Sequence, residues 1–289
     1  MRKKLSIAIF AVVAILALAV SPVAAITGDF VDDTEHPFVG LIVFYDAAGE
    51  FVGRCSGSLL SSTVFLTAGH CVGIEGAETA RVYFQQDAGV NYDPATELDP
   101  VTGYPEYCAE GTLGTLCATS DEFYNYGYTG RVPNTGDAGI VILDQEIQLS
   151  EYGQLPEEPG LLDDLATSRG TQDVVFTVSG YGVTRITEEH DVHPNISYRE
   201  RLMAQATLVN VNSALNASYN FNTQGNGKDR GGTCSGDSGG PVFLGGFESN
   251  LIVGITSFGW GNDMCRGTDY AFRVDQAEVL AWINSFLEE

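Results

Sequence analysis

Gly232-Thr233-Cys234-Ser235-Gly236-Asp237-Ser238-Gly239-Gly240-Pro241 decides how this chain is read. Four glycines and a proline in ten positions break any helix or regular strand. Glycine reaches backbone conformations closed to other residues, so the stretch is a sharply bent loop whose amides can converge on one point. Ser238 stands in its middle. A serine hydroxyl is a poor nucleophile until a base takes its proton, so the loop is half of a reactive site. A histidine and a carboxylate must complete it. Leu66-Thr67-Ala68-Gly69-His70-Cys71 offers the first, and Asp137-Ala138-Gly139-Ile140-Val141-Ile142-Leu143 the second.

Together the three segments resemble the chymotrypsin/trypsin-like serine proteases. Gly236-Asp237-Ser238-Gly239-Gly240-Pro241 matches that family's nucleophile motif in full, and Thr67-Ala68-Gly69-His70-Cys71 its histidine motif. The Asp137 segment is a looser match. The chain order His70, Asp137, Ser238 is the family's, and other serine hydrolases use other orders. A lipase reading needs Gly-x-Ser-x-Gly between a strand and a helix, and Pro241 opposes the helix. The resemblance covers nearly all of residues 26–289. It implies an all-β fold of two packed antiparallel β-barrels, about 26–150 and 170–274, closed by a helix at about 275–287.

The strand pattern agrees. Phe38 to Tyr45, Phe51 to Leu60, Val64 to Leu66 and Arg81 to Gln85 are short runs of β-formers between polar turns. Gly139 to Leu143 continues them. After a linker of weak helical tendency at 157–169, Val174 to Gly182 opens a second set, followed by Leu202 to Val211, Val242 to Leu244 and Leu251 to Ser257. Asp275 and Glu278 are spaced as a capping box ahead of the apolar face Val279, Trp282, Ile283 and Phe286. Residues 86–130, rich in Asp, Pro, Gly and Tyr, read as an inserted surface excursion that either shapes substrate access or decorates the barrel.

Met1-Arg2-Lys3-Lys4 followed by 14 apolar residues, Ile7 to Val20, and by Val23-Ala24-Ala25 has the pattern of a signal peptide over 1–25. The expectation is a secreted, monomeric protein of bacterial origin, free of the membrane after cleavage. Net charge is −24, and without the leader 11 basic face 38 acidic residues, with Lys228 the last lysine. Such a surface repels nucleic acid and anionic membranes, leaving polypeptide substrates as the expected partners.

The resemblance assigns roles residue by residue. His70 is the base, Asp137 fixes its tautomer, and Ser238 is the nucleophile. The amides of Gly236 and Ser238 form the oxyanion hole. Cleavage after Ala25 would leave Ile26-Thr27-Gly28, similar to the family's activated terminus, whose ammonium would meet Asp237; otherwise Ile26 merely begins a strand. Ser257-Phe258-Gly259 would pair with extended substrate. Gly232 lies where trypsins carry an aspartate at the base of the specificity pocket. A large apolar residue before the scissile bond is therefore favoured, with Asp269 on the opposite wall as the basis of a basic alternative.

Six cysteines allow 15 pairings. The resemblance selects Cys55–Cys71 and Cys234–Cys265, which leaves Cys108–Cys117. No Cys-x-x-Cys spacing suggests a metal, and the implied chemistry needs no cofactor. Asp93, Glu97 and Asp99 read as either solvated surface or a calcium site. Asn195 and Asn216 are glycan acceptors only in a glycosylating host. The competing reading from another class is a protease fold that binds without catalysis, and an intact set of His70, Asp137 and Ser238 argues against it.

Overall fold

A computed structural model describes residues 26–93, 95–108, 110–111, 114–115, 117–167, 173–183, 198–225, 229–262 and 265–288. The signal segment, Asn195 and Lys228 lie outside them. The first described residues form β1 (Thr27–Gly28) and β2 (Phe30–Asp32). Then come β3 (Val39–Tyr45), β4 (Phe51–Leu59), β5 (Val64–Thr67), the single-turn α1 (Gly69–Val72) and β6 (Thr79–Tyr83). The short hairpin β7 (Glu110–Gly111) and β8 (Gly114–Thr115) precedes β9 (Cys117–Ser120), β10 (Glu122–Asn125) and β11 (Gly139–Ile142).

The second half holds α2 (Asp163–Thr167), β12 (Val175–Gly180), β13 (Leu202–Asn210), β14 (Asn220–Gln224), β15 (Gly231–Gly232) and β16 (Pro241–Leu244). It ends with β17 (Ile252–Asn262), β18 (Arg266–Arg273) and α3 (Ala277–Asn284).

Two antiparallel β-barrels result. The first has the order β10-β11-β5-β4-β3-β6-β9. In the second, β12-β16-β17-β18-β14-β13 closes on itself where β13 pairs back with β12. Closure leaves no edge among those six strands to template aggregation. All seven residues of β3, Val-Gly-Leu-Ile-Val-Phe-Tyr, are buried, most of them in the apolar core that spans both halves of the fold. One apolar core runs from Phe38, Phe44 and Phe65 across the seam to Tyr181, Phe243, Ile255 and Phe272. A separate core, with Ile26, Phe176, Phe221 and Val253, fills the second barrel.

Several expectations are corrected. The excursion is shorter than 86–130: Cys117–Ser120 pairs with β6 and Glu122–Asn125 with β11, so both are barrel strands. The capping box does not form. Asp275 is buried, and its carboxylate accepts from Arg273 Nε and Nη2 at 2.8 and 2.7 Å and from Leu162 N at 2.7 Å, while Gln276 caps α3 without a side-chain bond. A buried guanidinium claims the carboxylate more strongly than an exposed helix end. Residues 27–32 pair with β15 and β13, strands of the second half.

Asn216 is fully buried, its amide donating to Asn210 O and Asn222 Oδ1, so it is no glycan acceptor in the folded chain. Glu97 and Asp99 are occupied by their own loop: Asp93 N and Tyr107 OH donate to Glu97, and Val101 N and Thr102 N to Asp99.

Candidate active site

β5 ends at Thr67 and α1 begins two residues later, which lifts His70 out of the sheet at the barrel rim. Two ties hold that turn. Cys71 is bonded to Cys55 of β4, and Asn125 Nδ2 donates to Gly69 O at 2.7 Å. Asp137, two residues before the start of β11, has a side chain only 1% exposed. It accepts from the main chain of His70 at 2.8 Å, from His70 Nδ1 at 2.9 Å through Oδ2, and from the Ser257 hydroxyl. A carboxylate oxygen accepts, so the contact favours the tautomer with its proton on Nδ1 and a lone pair on Nε2. The His70 side chain is 25% exposed, and the Tyr128 ring lies 5.6 Å from the imidazole.

The loop bearing Ser238 is clamped between the barrels. Ser238 O accepts from Ser56 N of β4 at 2.8 Å, Gly236 O from Ser56 Oγ at 2.8 Å, and Gly239 N donates to Thr256 O of β17 at 2.8 Å. Gly239 has φ +82°, and a Cβ there would fall on Thr67 Oγ1 and the Ser56 carbonyl. Glycine alone allows both that backbone and that contact, which brings the loop onto Thr67 and Ala68, just before His70. Asp237 N and Gly240 N are used within the loop, donating to Cys234 O and Asp237 O. Among the described residues, the amides of Gly236 and Ser238 find no acceptor, and no hydrogen bond joins the Ser238 hydroxyl to His70. Such bonds are often long before substrate binds.

Asp237 is completely buried. Gly182 N donates to Oδ1 at 2.8 Å and Cys234 N to Oδ2 at 2.9 Å. Burial pushes its pKa up to about 7 against those two bonds, and among the described residues no cation lies beside it. Ile26 is also fully buried, in the second core, but its nitrogen is an amide while Ala25 precedes it. The expected ion pair is therefore absent from the uncut chain.

Asp269 of β18 sits opposite Gly259 of β17 in register, and its Oδ2 lies 2.6 Å from where a Cβ on Gly232 would stand. The carboxylate thus occupies room that the missing side chain leaves. It accepts from Thr233 N at 2.8 Å, and burial pushes its pKa up to about 6. Gly259 is exposed with open space beside its α-carbon, while Phe258 stacks on Tyr270 at 4.6 Å. Cys234–Cys265 and Cys108–Cys117 are bonded as expected. Among the described residues, the one grouping of metal-type side chains is Cys55, His70 and Cys71, whose sulfurs are spent in a disulfide.

Sequence reasoning missed Ser56, Asn125 and Tyr128. Each lies on a strand or loop with no motif of its own and reaches the site only through folding.

The family model described as Trypsin matches residues 26–283. Serine protease 7 of Drosophila melanogaster is 26% identical over 253 residues, covering 82% of this chain and 60% of that protein. The chain thus spans about three fifths of the length of that relative. The thrombin-like enzyme leucurobin of Bothrops leucurus is 27% identical, covering 91% of this chain and 96% of that one. Chymotrypsin of Phaedon cochleariae is 28% identical, with 88% and 79% covered. These relatives are animal proteins and lend the expected bacterial origin no support.

Among solved structures, HL collagenase superposes with a TM-score of 0.62 at 18% identity over 91% of this chain and 99% of that one. Human heparin binding protein does so at 0.60 and 19%, over 91% and 97%. At that identity the likeness shows the fold alone. With the family model spanning nearly every described residue, this chain belongs to the trypsin family of serine proteases.

Proposed function

We propose that the protein is an endopeptidase working through an acyl-enzyme on Ser238. The observation that carries this is the Asp137–His70 pair, beside a loop holding two amides, with Nε2 and both amides unengaged among the described residues. Ser238 Oγ attacks the peptide carbonyl as Nε2 takes its proton. Asp137 stabilises the imidazolium, and the Gly236 and Ser238 amides receive the oxyanion. Collapse breaks the C–N bond while His70 hands the proton to the leaving amine. Water then repeats the sequence and frees the acid.

Labelling with a fluorophosphonate should tag Ser238 and fail in Ser238→Ala. An unlabelled, folded wild-type chain would instead favour a binding module without catalysis.

Two finer features belong to the same reading. Cleavage after Ala25 would free the Ile26 ammonium to neutralise Asp237, a buried carboxylate with no cation among the described residues. N-terminal sequencing of secreted, active protein should read Ile-Thr-Gly; a start at Val31 would remove this route. Of the two substrate preferences, the contact between Asp269 and the empty side-chain position of Gly232 favours the basic one. Above its pKa the carboxylate offers a charge partner to Lys or Arg before the scissile bond. Export to an oxidising compartment fits three disulfides. Among the described residues, no helix is long and apolar enough to cross a membrane. The acidic exterior favours polypeptide over nucleic-acid partners, and the chain is read as a monomer.

A further inference from the structure

The excursion that leaves the first barrel after β6 returns to grip the second barrel beside the nucleophile loop. Ala88 N donates to Arg199 O at 2.9 Å, Arg201 N to Gln86 O at 2.8 Å, and Gln86 Nε2 to Arg201 O at 2.6 Å. Arg199 reaches back to the carbonyls of Gly103, at 2.7 Å, and Ala88. Gly89 and Gly103, both with positive φ, lie against its guanidinium so closely that a Cβ at Gly89 would overlap Nη2.

A second link runs through aromatic rings. Tyr104, fully buried and stacked on Tyr83, accepts from Arg54 Nη1 at 2.8 Å and donates to Tyr198 O at 2.7 Å. The Arg54 guanidinium lies 4.3 Å over the Tyr198 ring and 4.6 Å over Phe51. Tyr198 itself has φ +67°, a conformation that costs a bulky residue free energy and persists only where its surroundings enforce it. The edge of its ring lies 2.7 Å from where a Cβ on Gly236 would be. Gly236 contributes one of the two amides without acceptors.

We infer that Arg54 and Tyr104 are positioning residues. Through Tyr198 they hold Gly236, and hence one oxyanion donor, in its reactive orientation, so the excursion is a brace for the active site. The inference rests on the acyl-transfer reading above. An oxyanion donor acts only if it is aimed at the charge that develops in the transition state. Loosening Tyr198 therefore lowers turnover more than substrate binding.

The test uses Tyr104→Phe, which keeps the ring packed on Tyr83 but removes the hydroxyl, and Arg54→Met, which keeps the stem without the guanidinium. Fluorophosphonate titration counts competent sites, followed by kcat, KM and the inhibition constant of a peptide boronate. Sites should titrate fully with KM within about 2-fold, while kcat falls about 10-fold and the boronate weakens in proportion, part of what a whole donor is worth. Unchanged kcat and boronate affinity in folded variants would overturn the brace while sparing the acyl-enzyme. If one variant does not fold, the other decides. A wild-type protein that never reacts with the fluorophosphonate would overturn both.

Discussion

The described residues hold two Ser–Asp–His arrangements, and one is entirely interior. Asp33 accepts from His36 Nδ1 at 2.8 Å and from the Ser179 hydroxyl; Asp137 accepts from His70 Nδ1 at 2.9 Å and from the Ser257 hydroxyl. They differ at the far side of the ring. His36 Nε2 lies 3.2 Å from Ser249 O, its imidazole stacks on Phe243 at 4.3 Å, and no part of it meets solvent. Among the described residues His70 Nε2 finds no hydrogen-bond partner, and its side chain is a quarter exposed. A carboxylate orienting an imidazole is thus not itself a catalytic device. What counts is whether the second nitrogen is spent on the fold or kept for a substrate.

Asp33 shows what the interior copy does. Burial alone would raise its pKa, but the bond and charge of His36, with help from Arg201 and Ser179, bring it below the ordinary 3.8. A depressed acid stabilises the fold above its unfolded pKa and loses that contribution as the pH drops further. Since Ser179 and Arg201 come from the second barrel, and Arg201 also donates to Val39 O, this cluster fastens the barrels together.

The same substitution at the two carboxylates should have opposite consequences. Asp137→Asn should cut kcat by about 10⁴-fold with little change in melting temperature, because the ring loses its tautomer. Asp33→Asn should leave kcat per titrated site unchanged but cost about 3–5 kcal/mol of unfolding free energy, the scale for stripping one partner from a buried pair. Paired steady-state kinetics and denaturant melts read both, and a large kcat loss in Asp33→Asn would erase the distinction.

A third carboxylate, Asp269, has no cationic partner among the described residues. With its pKa raised to about 6, it is neutral below and charged above. The ratio of kcat/KM for Arg over Phe substrates should therefore climb through pH 6 by roughly 10-fold, the equivalent of about 1.4 kcal/mol. Taking the ratio cancels every pH effect common to both substrates, and Asp269→Asn should flatten the curve. A protein that cleaves after Phe and not Arg at pH 8 would restore the apolar preference.

The smallest effect separates the two hydroxyls. Ser257→Ala should lower kcat by less than about 10-fold at nearly constant stability, whereas Ser179→Ala should cost about 1 kcal/mol of stability and no turnover, as expected for single hydrogen bonds. Equal effects on kcat would argue against different roles.

Much of this was legible in the primary structure. His70 and Ser238 sit in motifs long enough to read without coordinates, and short β-rich runs between turns implied barrels. Asp137 was legible mainly by its place before an apolar strand. The His36 cluster was not, since a lone histidine beside a proline carries no local signal. Nor was the short reach of the excursion: Cys117–Ser120 and Glu122–Asn125 become strands through pairing with β6 and β11, and their own β-propensity is unremarkable. Asp275 and Glu278 had the spacing of a helix cap, yet Arg273 took Asp275, a tertiary partner prevailing over a local one.

By itself, the amino-acid order determined the candidate reactive side chains, the bent glycine loop and the short β-rich runs that build two barrels, because each depends on residues near one another along the chain. Folding alone decided which imidazole keeps a nitrogen free, which carboxylate lines the floor beneath Gly232 and which aromatic ring leans on Gly236. Those outcomes hinge on burial and on contacts across the barrel seam, where solvent is excluded and charges and strained backbones must find partners from remote segments.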